Sequence, residues 1–342
     1  MHTLKWLVLG VNNICNLHCK MCDVGTGSKE TNFSENLIGA RPIDMPLELF
    51  REISLQAKSY FPNAKLGYAF TEPLIYKYLE ESLEIACVNE LEVAITTNGL
   101  KLKQKANAIL EYGVENIFLS LDGTEEIHNS IRGNKYSFQK ALDGIEELIK
   151  HAKRPKISIF CVITEWNIGN LSELVEFFSQ YPIEQLGFMH TNFTTVEMAQ
   201  EHNMHHGYYY HATHSNIEEI NIDEMNLDLL WSDICRIKSL ATDFKVSFSP
   251  EIETREMLDV FYHKPKLFIG RKCLDIYRNI MLKSDGSVIP AHGRCFNLEL
   301  GNLYQSDLLT IWQSQVLRKL QLDLDKAGGL FPACARCCSA FH

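Results

Sequence analysis

Cys15, Cys19 and Cys22 are spaced by three and two residues in "NNICNLHCKMCD" (12–23), directly after the apolar run "LKWLVLGV". Thiolates are soft ligands for zinc and iron, and a cubane iron–sulfur cluster takes one thiolate for each iron. Three thiols therefore leave one iron of a 4Fe-4S cluster open to a small chelating ligand, as catalytic metal centres keep a position that structural ones close. A zinc ion completed by His18 is the alternative metal reading, and a set of buried thiols explains the tight spacing poorly. A second group, Cys273, Cys295, Cys334, Cys337 and Cys338, falls in the last 70 residues. With no secretory signal, eleven cysteines point to metal ligation rather than to a disulfide framework. Cys87, Cys161 and Cys235 stand alone in apolar settings and read as core packing.

Elements must hold these thiols. Apolar and β-branched runs predict strands at 4–11, 64–70, 91–97, 114–121, 156–163 and 184–190. Amphipathic stretches predict helices near 46–60, 75–89, 101–112, 136–151 and 169–180, the alternation of a parallel sheet covered by helices. This falls short of a closed TIM barrel, so the expected fold is α/β, a partial (β/α)6 barrel with its site at the strand C-termini. Residues 191–265 show no further strand–helix repeat and read as a connecting region that contributes to a substrate pocket. Their "EHNMHHGYYYHATHS" lacks the spacing of a standard zinc site and reads as an aromatic pocket wall or a solvated loop. In the last segment, 266–342, "NIMLKSDGSVIPAHG" (279–293) predicts a β-hairpin about Asp285–Gly286, and 306–324 an amphipathic helix with Ser306 as N-cap. The expected domains are thus 1–190, 191–265 and a small cluster-stapled unit, 266–342.

"CNLHCKMC" resembles the CxxxCxxC loop of radical S-adenosylmethionine (SAM) enzymes. In that family SAM chelates the open iron through its amino and carboxylate groups. Reduction of the cluster then cleaves SAM to methionine and a 5′-deoxyadenosyl radical, which abstracts a substrate hydrogen. Met21 stands where an aromatic residue is usual, and the resemblance sets it against adenine. "AFTEP" (69–73) is similar to the family's GGEP motif, with Phe70 and Thr71 in place of the glycines, which gives Glu72 the SAM ammonium. "TTNG" (96–99), "SLDG" (120–123) and "HNSIRG" (128–133) follow in the order of the branch that carries SPASM or twitch domains. By that resemblance Ser120 contacts the SAM ribose, Asn98 lies near its methionine end and Asp122 faces substrate. An ordinary strand-to-helix cap is the plainer reading of Asn98 and Asp122. Arg132 pairs with a carboxylate or forms a surface salt bridge.

The tail resembles a twitch domain, a shortened SPASM domain with one auxiliary 4Fe-4S cluster, here on Cys273, Cys295, Cys334 and Cys337. Cys338 is either a substitute for Cys337 or a free thiol. "GNL" (301–303) and "LLTIWQS" (308–314) are similar to that domain's linker and helix, while His292 intrudes before a late Cys295.

The resemblance implies two 4Fe-4S clusters, SAM and an electron donor such as flavodoxin or ferredoxin, in a cytoplasmic enzyme. The leading reading is oxidation of a hydroxyl in a sugar, cyclitol or similar small polar metabolite, in a motif layout that resembles 2-deoxy-scyllo-inosamine dehydrogenase. Asp122, His190 and His292 are the candidate proton acceptors. Peptide or protein modification, as in anaerobic sulfatase-maturating enzymes, is the alternative. The single expected auxiliary cluster and the lack of a winged-helix leader-binding module before Trp6 weigh against it. A non-enzymatic iron–sulfur or zinc scaffold that binds a partner is the third reading. The net charge of -10 disfavours a nucleic-acid surface, and the longest apolar runs fall short of the ~20 residues of a membrane helix.

Overall fold

The computed structural model describes residues 3–38 and 43–341. The short apolar runs form β1 (Trp6–Leu9), β2 (Lys65–Tyr68), β3 (Val93–Thr97), β4 (Asn116–Ser120), β5 (Lys156–Ile163) and β6 (Gln185–His190). They lie side by side in chain order, all parallel. Parallel neighbours need a crossover, and the connecting helices supply it: Leu47–Tyr60, Leu79–Val88, Leu102–Glu111, Ser137–Ile149 and Leu171–Phe178. The first of these buries Leu49, Phe50, Ile53 and Ala57, the spacing of one helical face. Burying each of its larger side chains stabilises the fold by roughly 1.5–3 kcal/mol.

Strand alternation divides the sheet into two faces. Leu7, Leu9, Leu66, Ile95, Ile117 and Leu119 are fully buried in the main core. Their neighbours Trp6, Val8, Gly67, Ala94, Thr96 and Phe118 line a cavity instead.

The sheet is larger than the sequence predicts. A seventh parallel strand, β7 (Lys245–Ser249), pairs with β6 inside the segment read as lacking strands. Only Val246 and Phe248 are apolar in this edge strand, too weak a pattern to stand out, but Phe248 stacks on Phe188 of β6 at 5.2 Å. On the other side β8 (Asn279–Leu282) lies parallel to β1, placing Asn279 beside Trp6. Then β9 (Ser287–Pro290) and β10 (Gly301–Asn302) follow antiparallel. The hairpin at Asp285–Gly286 forms, with Gly286 at φ 85°.

The expected single helix over 306–324 is two helices, Leu308–Trp312 and Gln315–Lys326. Asp307, not Ser306, caps the first, and Ser314 caps the second by accepting from the Leu317 amide. A serine that bonds its own backbone two or three residues on offers the chain an exit from the helix. The histidine-rich stretch begins as a helix, Val196–His206, in which His202 is buried against Phe296 and its Nε2 meets the Tyr210 carbonyl. Of the three isolated cysteines only Cys161 is core, since Cys87 and Cys235 are exposed. No helix among the described residues is long and apolar enough to cross a membrane.

Candidate active site

Because β1 to β7 run parallel, the loops that follow them leave one edge of the sheet, where the C-terminal ends of the strands gather. The cysteine loop follows β1, Glu72 follows β2, Asn98 follows β3 and Ser120 ends β4. A cavity of about 500 Å³ opens there, lined by Cys15, Cys19, Cys22, Met21, Glu72, Asn98 and Ser120 together with Arg132, His292, Arg294 and Cys338. Its size suits a bound organic molecule.

The loop is tied down locally. Gly25 lies so close to the Cys19 backbone that a Cβ would sit 2.4 Å from its carbonyl oxygen. Asp23, 1% exposed, accepts from Thr31 Oγ1, Ser215 Oγ and the Asn216 amide at 2.7–2.8 Å. This carboxylate joins the cysteine loop to the connecting region, a role the local sequence does not signal. Burial raises the pKa of Cys15, and raises that of Cys19 to about 12. The three thiols are close enough for their charges to interact. They do not converge on one point, however. Among the described residues the group whose ligand atoms all lie within 4.8 Å of one another is His292, Cys337 and Cys338. A spread trio around an open cavity fits a cluster better than a single zinc ion completed by His18.

Glu72 is fully buried. One carboxylate oxygen accepts from the Leu74 amide (3.0 Å) and Thr97 Oγ1 (2.6 Å), and the other from the Asn98 amide (2.8 Å). Burial raises its pKa, and these three bonds partly offset that. A carboxylate has about four acceptor positions, so roughly one remains for a cationic donor in the cavity. Asn98 is spent mostly on the fold, with Oδ1 accepting from the Leu100 amide and Nδ2 donating to Asn16. The Ser120 hydroxyl makes no hydrogen bond among the described residues and lines the cavity. Met21, 7% exposed, packs with Leu17 and Ile131.

Two expected proton acceptors are displaced. Asp122 is fully buried outside the cavity lining, with its carboxylate taken by Arg132 Nε (2.5 Å) and the Val162 amide (3.0 Å). His190 points to the opposite face of β6 from Met189 and Thr191, which line the cavity. It is 1% exposed, Nδ1 meets the Tyr262 hydroxyl at 2.8 Å, and burial pushes its pKa down to about 3. Neither side chain reaches a substrate in the cavity. His292 does line it, its ring stacked on Phe70 at 5.8 Å.

The tail thiols form a second site. Cys273, Cys295, Cys334 and Cys337 line a cavity of about 70 Å³ with His292 and Phe296. Burial raises the pKa of Cys273 to about 12 and of Cys334 to about 11, and holds that of Cys295 well above the usual thiol value. Buried thiols without a counter-charge ionise against a metal cation, which is the chemistry of this donor set. Cys338 differs, because it lines the large cavity and its sulfur lies 4.0 Å from His292 Nε2. That nitrogen is also 2.8 Å from Ser339 Oγ, which donates to Asp275. Contact with the Cys337 thiol, and then with His292, favours the Cys338 thiolate. Arg336 was not anticipated. Fully buried between Cys334 and Cys337, it donates to the carbonyls of Val260, Phe261, Lys264 and Leu267, and so clamps the end of helix Arg255–His263 to the cysteine turn.

Residues 10–178 match the model of the radical SAM superfamily, and residues 273–338 match that of the SPASM iron-sulfur cluster-binding domain. The chain belongs to the radical SAM superfamily, in its SPASM branch. The radical SAM and SPASM domains indicate a 4Fe-4S cluster and an auxiliary cluster. Among curated relatives, GTP 3′,8-cyclase of Helicobacter pylori is 28% identical over 176 residues, 51% of this chain and 52% of its own. The tungsten-containing aldehyde ferredoxin oxidoreductase cofactor-modifying protein of Pyrococcus furiosus is 24% identical over 182 residues, 51% of this chain and 48% of its own. The chain thus spans about half the length of the curated relatives it matches. Among solved structures, Streptococcus suis SuiB bound to its precursor peptide SuiA covers 93% of this chain and 66% of its own, with TM-score 0.63 and 17% identity. Native anSMEcpe with bound AdoMet covers 92% and 82%, with TM-score 0.61 and 17% identity. At that identity the likeness concerns the radical SAM and SPASM fold.

Proposed function

We propose that this radical SAM enzyme oxidises a hydroxyl-bearing small polar metabolite seated between two cluster sites. Cys15, Cys19 and Cys22 hold the SAM-binding cluster, and Cys273, Cys295, Cys334 and Cys337 the auxiliary one. When bound, the first cluster and SAM supply the radical that removes a substrate hydrogen. Glu72 binds the SAM ammonium with its remaining acceptor position, Met21 packs beside the adenine and Ser120 meets the ribose. The observation that carries the reading is one cavity lined both by the three thiols and by His292 and Cys338, next to the four tail thiols. A substrate there is within reach of a hydrogen acceptor on one side and an electron acceptor on the other. Of the three candidate proton acceptors, His292 is the one that lines the cavity. An external donor such as a flavodoxin or ferredoxin supplies electrons to start the reaction.

Peptide modification is the second reading, favoured by the fold likeness to structures solved with a precursor peptide and with the Cp18Cys peptide. Anaerobic incubation of the reconstituted enzyme with SAM and separate panels of polyols and peptides, read by 5′-deoxyadenosine formation and product mass, tests both. A polyol product lighter by two hydrogens, formed equally by Cys338→Ala, supports oxidation. A mass-neutral product that carries solvent deuterium and is lost in Cys338→Ala rejects oxidation for epimerisation, and turnover of the peptides alone rejects the small-molecule reading.

A further inference from the structure

The deepest ion pair among the described residues joins Arg132 to Asp122, their side chains 11% and 0% exposed. Taking both charges out of water is costly, and a packed apolar pair often serves stability as well, so the pair's use lies in what else it touches. Arg132 Nε donates to Asp122, and Nη1 lies 3.8 Å from Cys19 Sγ.

Both ends of this bridge are fixed. The helix Glu125–Arg132 ends at Gly133, whose φ of 67° closes the turn. A Cβ there would stand 3.0 Å from the His18 carbonyl oxygen, so the helix end abuts the cysteine loop. The Lys20 amide donates to the Ile131 carbonyl at 3.0 Å, a second tie between the two segments. Behind Arg132, Asp122 accepts from the Val162 amide, its own amide donates to His128 Nδ1 (3.1 Å), and Asn167 Nδ2 donates to its carbonyl (2.9 Å). The carboxylate therefore holds the planar guanidinium in one orientation, with its free edge toward sulfur.

We propose that Arg132 is a positioning residue that donates a charge-assisted hydrogen bond to the Cys19 sulfur and so raises the reduction potential of the cluster held there. Asp122 fixes its orientation. The inference rests on the reading that Cys15, Cys19 and Cys22 hold the SAM-binding cluster. One added electron makes the cluster and its thiolates more negative, and a buried N–H donor on a cationic group stabilises that state more than the oxidised one. Asp122 thus acts through Arg132 and not on substrate.

The test is a potentiometric titration of the anaerobically reconstituted full chain without SAM, followed by electron paramagnetic resonance. The signal that responds to added SAM identifies the cluster concerned. Wild type is compared with Arg132→Lys, Arg132→Met and the double variant Asp122→Asn with Arg132→Met, which leaves neither charge buried alone. The expected result is unchanged iron content, with the reduced-to-oxidised ratio about tenfold lower at the wild-type midpoint in both Met variants. Arg132→Lys recovers part of the loss. Equal midpoints with the cluster present in every variant overturn the proposal, as does weakened SAM binding at an unchanged midpoint, which would assign Arg132 to SAM instead. A SAM-responsive cluster that survives replacement of Cys15, Cys19 and Cys22 removes the underlying reading, a failure seen in the iron count and not in the potentials.

Discussion

The thiols after β1 sit in an irregular loop held by its neighbours, by Gly25 against Cys19, Asp23 against Asn216 and the end of helix Glu125–Arg132 against His18. They face a cavity of about 500 Å³. The four thiols of the tail line a smaller space of about 70 Å³, with Arg336 pinning the turn that carries two of them. On the proposed ligand sets, one site is short of a ligand and the other has a full set. That is the difference between a centre that must admit a second molecule and one that only passes electrons or holds a fold together. His292 and Arg294 line both cavities, and Cys338 lines the large one beside Cys337.

The comparison breaks first if the closed site is dispensable. Replacing Cys273 and Cys334 with Ala is expected to abolish substrate oxidation while 5′-deoxyadenosine formation continues, read by chromatography of both products. Next, Arg336→Met removes hydrogen bonds to five carbonyls, those of Val260, Phe261, Lys264, Leu267 and Ala335, and chemical unfolding should show a loss of about 3 kcal/mol with the open site's SAM affinity unchanged. Burial lowers the pKa of Arg336 to about 10, so the guanidinium stays charged through the neutral range in which this is measured. At the open site, Glu72→Gln should weaken SAM binding by about 1.5–3 kcal/mol in equilibrium dialysis without loss of iron, because it removes a charge-assisted bond. A further effect belongs to neither site. His190 has its pKa lowered from 6.5 to about 3 by burial, so its contribution to stability is complete above 6.5 and is lost as pH falls toward 3. His190→Asn should flatten that part of the stability–pH curve, measured by urea unfolding.

Much of this arrangement is legible in the sequence because buried parallel strands are short apolar runs and the residues that follow them share one edge. Thus Cys15, Cys19, Cys22, Glu72, Asn98 and Ser120 meet as expected. Edge strand β7 escapes notice because only half of it is covered. His190 is misjudged because a one-residue step decides which face a strand residue takes, and the pattern "GFMH" does not show that Met189 is the inward one. Asp122 is misjudged because its partners, Arg132 and Val162, come from a helix and a neighbouring strand. Asp23 and Arg336 are invisible for the same reason, since contacts such as Asp23 to Asn216 span nearly two hundred residues and leave no local pattern.

The central claim is that two cluster sites of different kinds flank one cavity. Iron and sulfide analysis with Mössbauer spectroscopy on anaerobically reconstituted wild type, and on the variant with Cys15, Cys19 and Cys22 all changed to Ala, tests it most directly. The account predicts about eight irons per chain in the wild type, arranged as two 4Fe-4S clusters, and about four in the variant. About four irons in both proteins, or a variant that keeps both clusters, would contradict it.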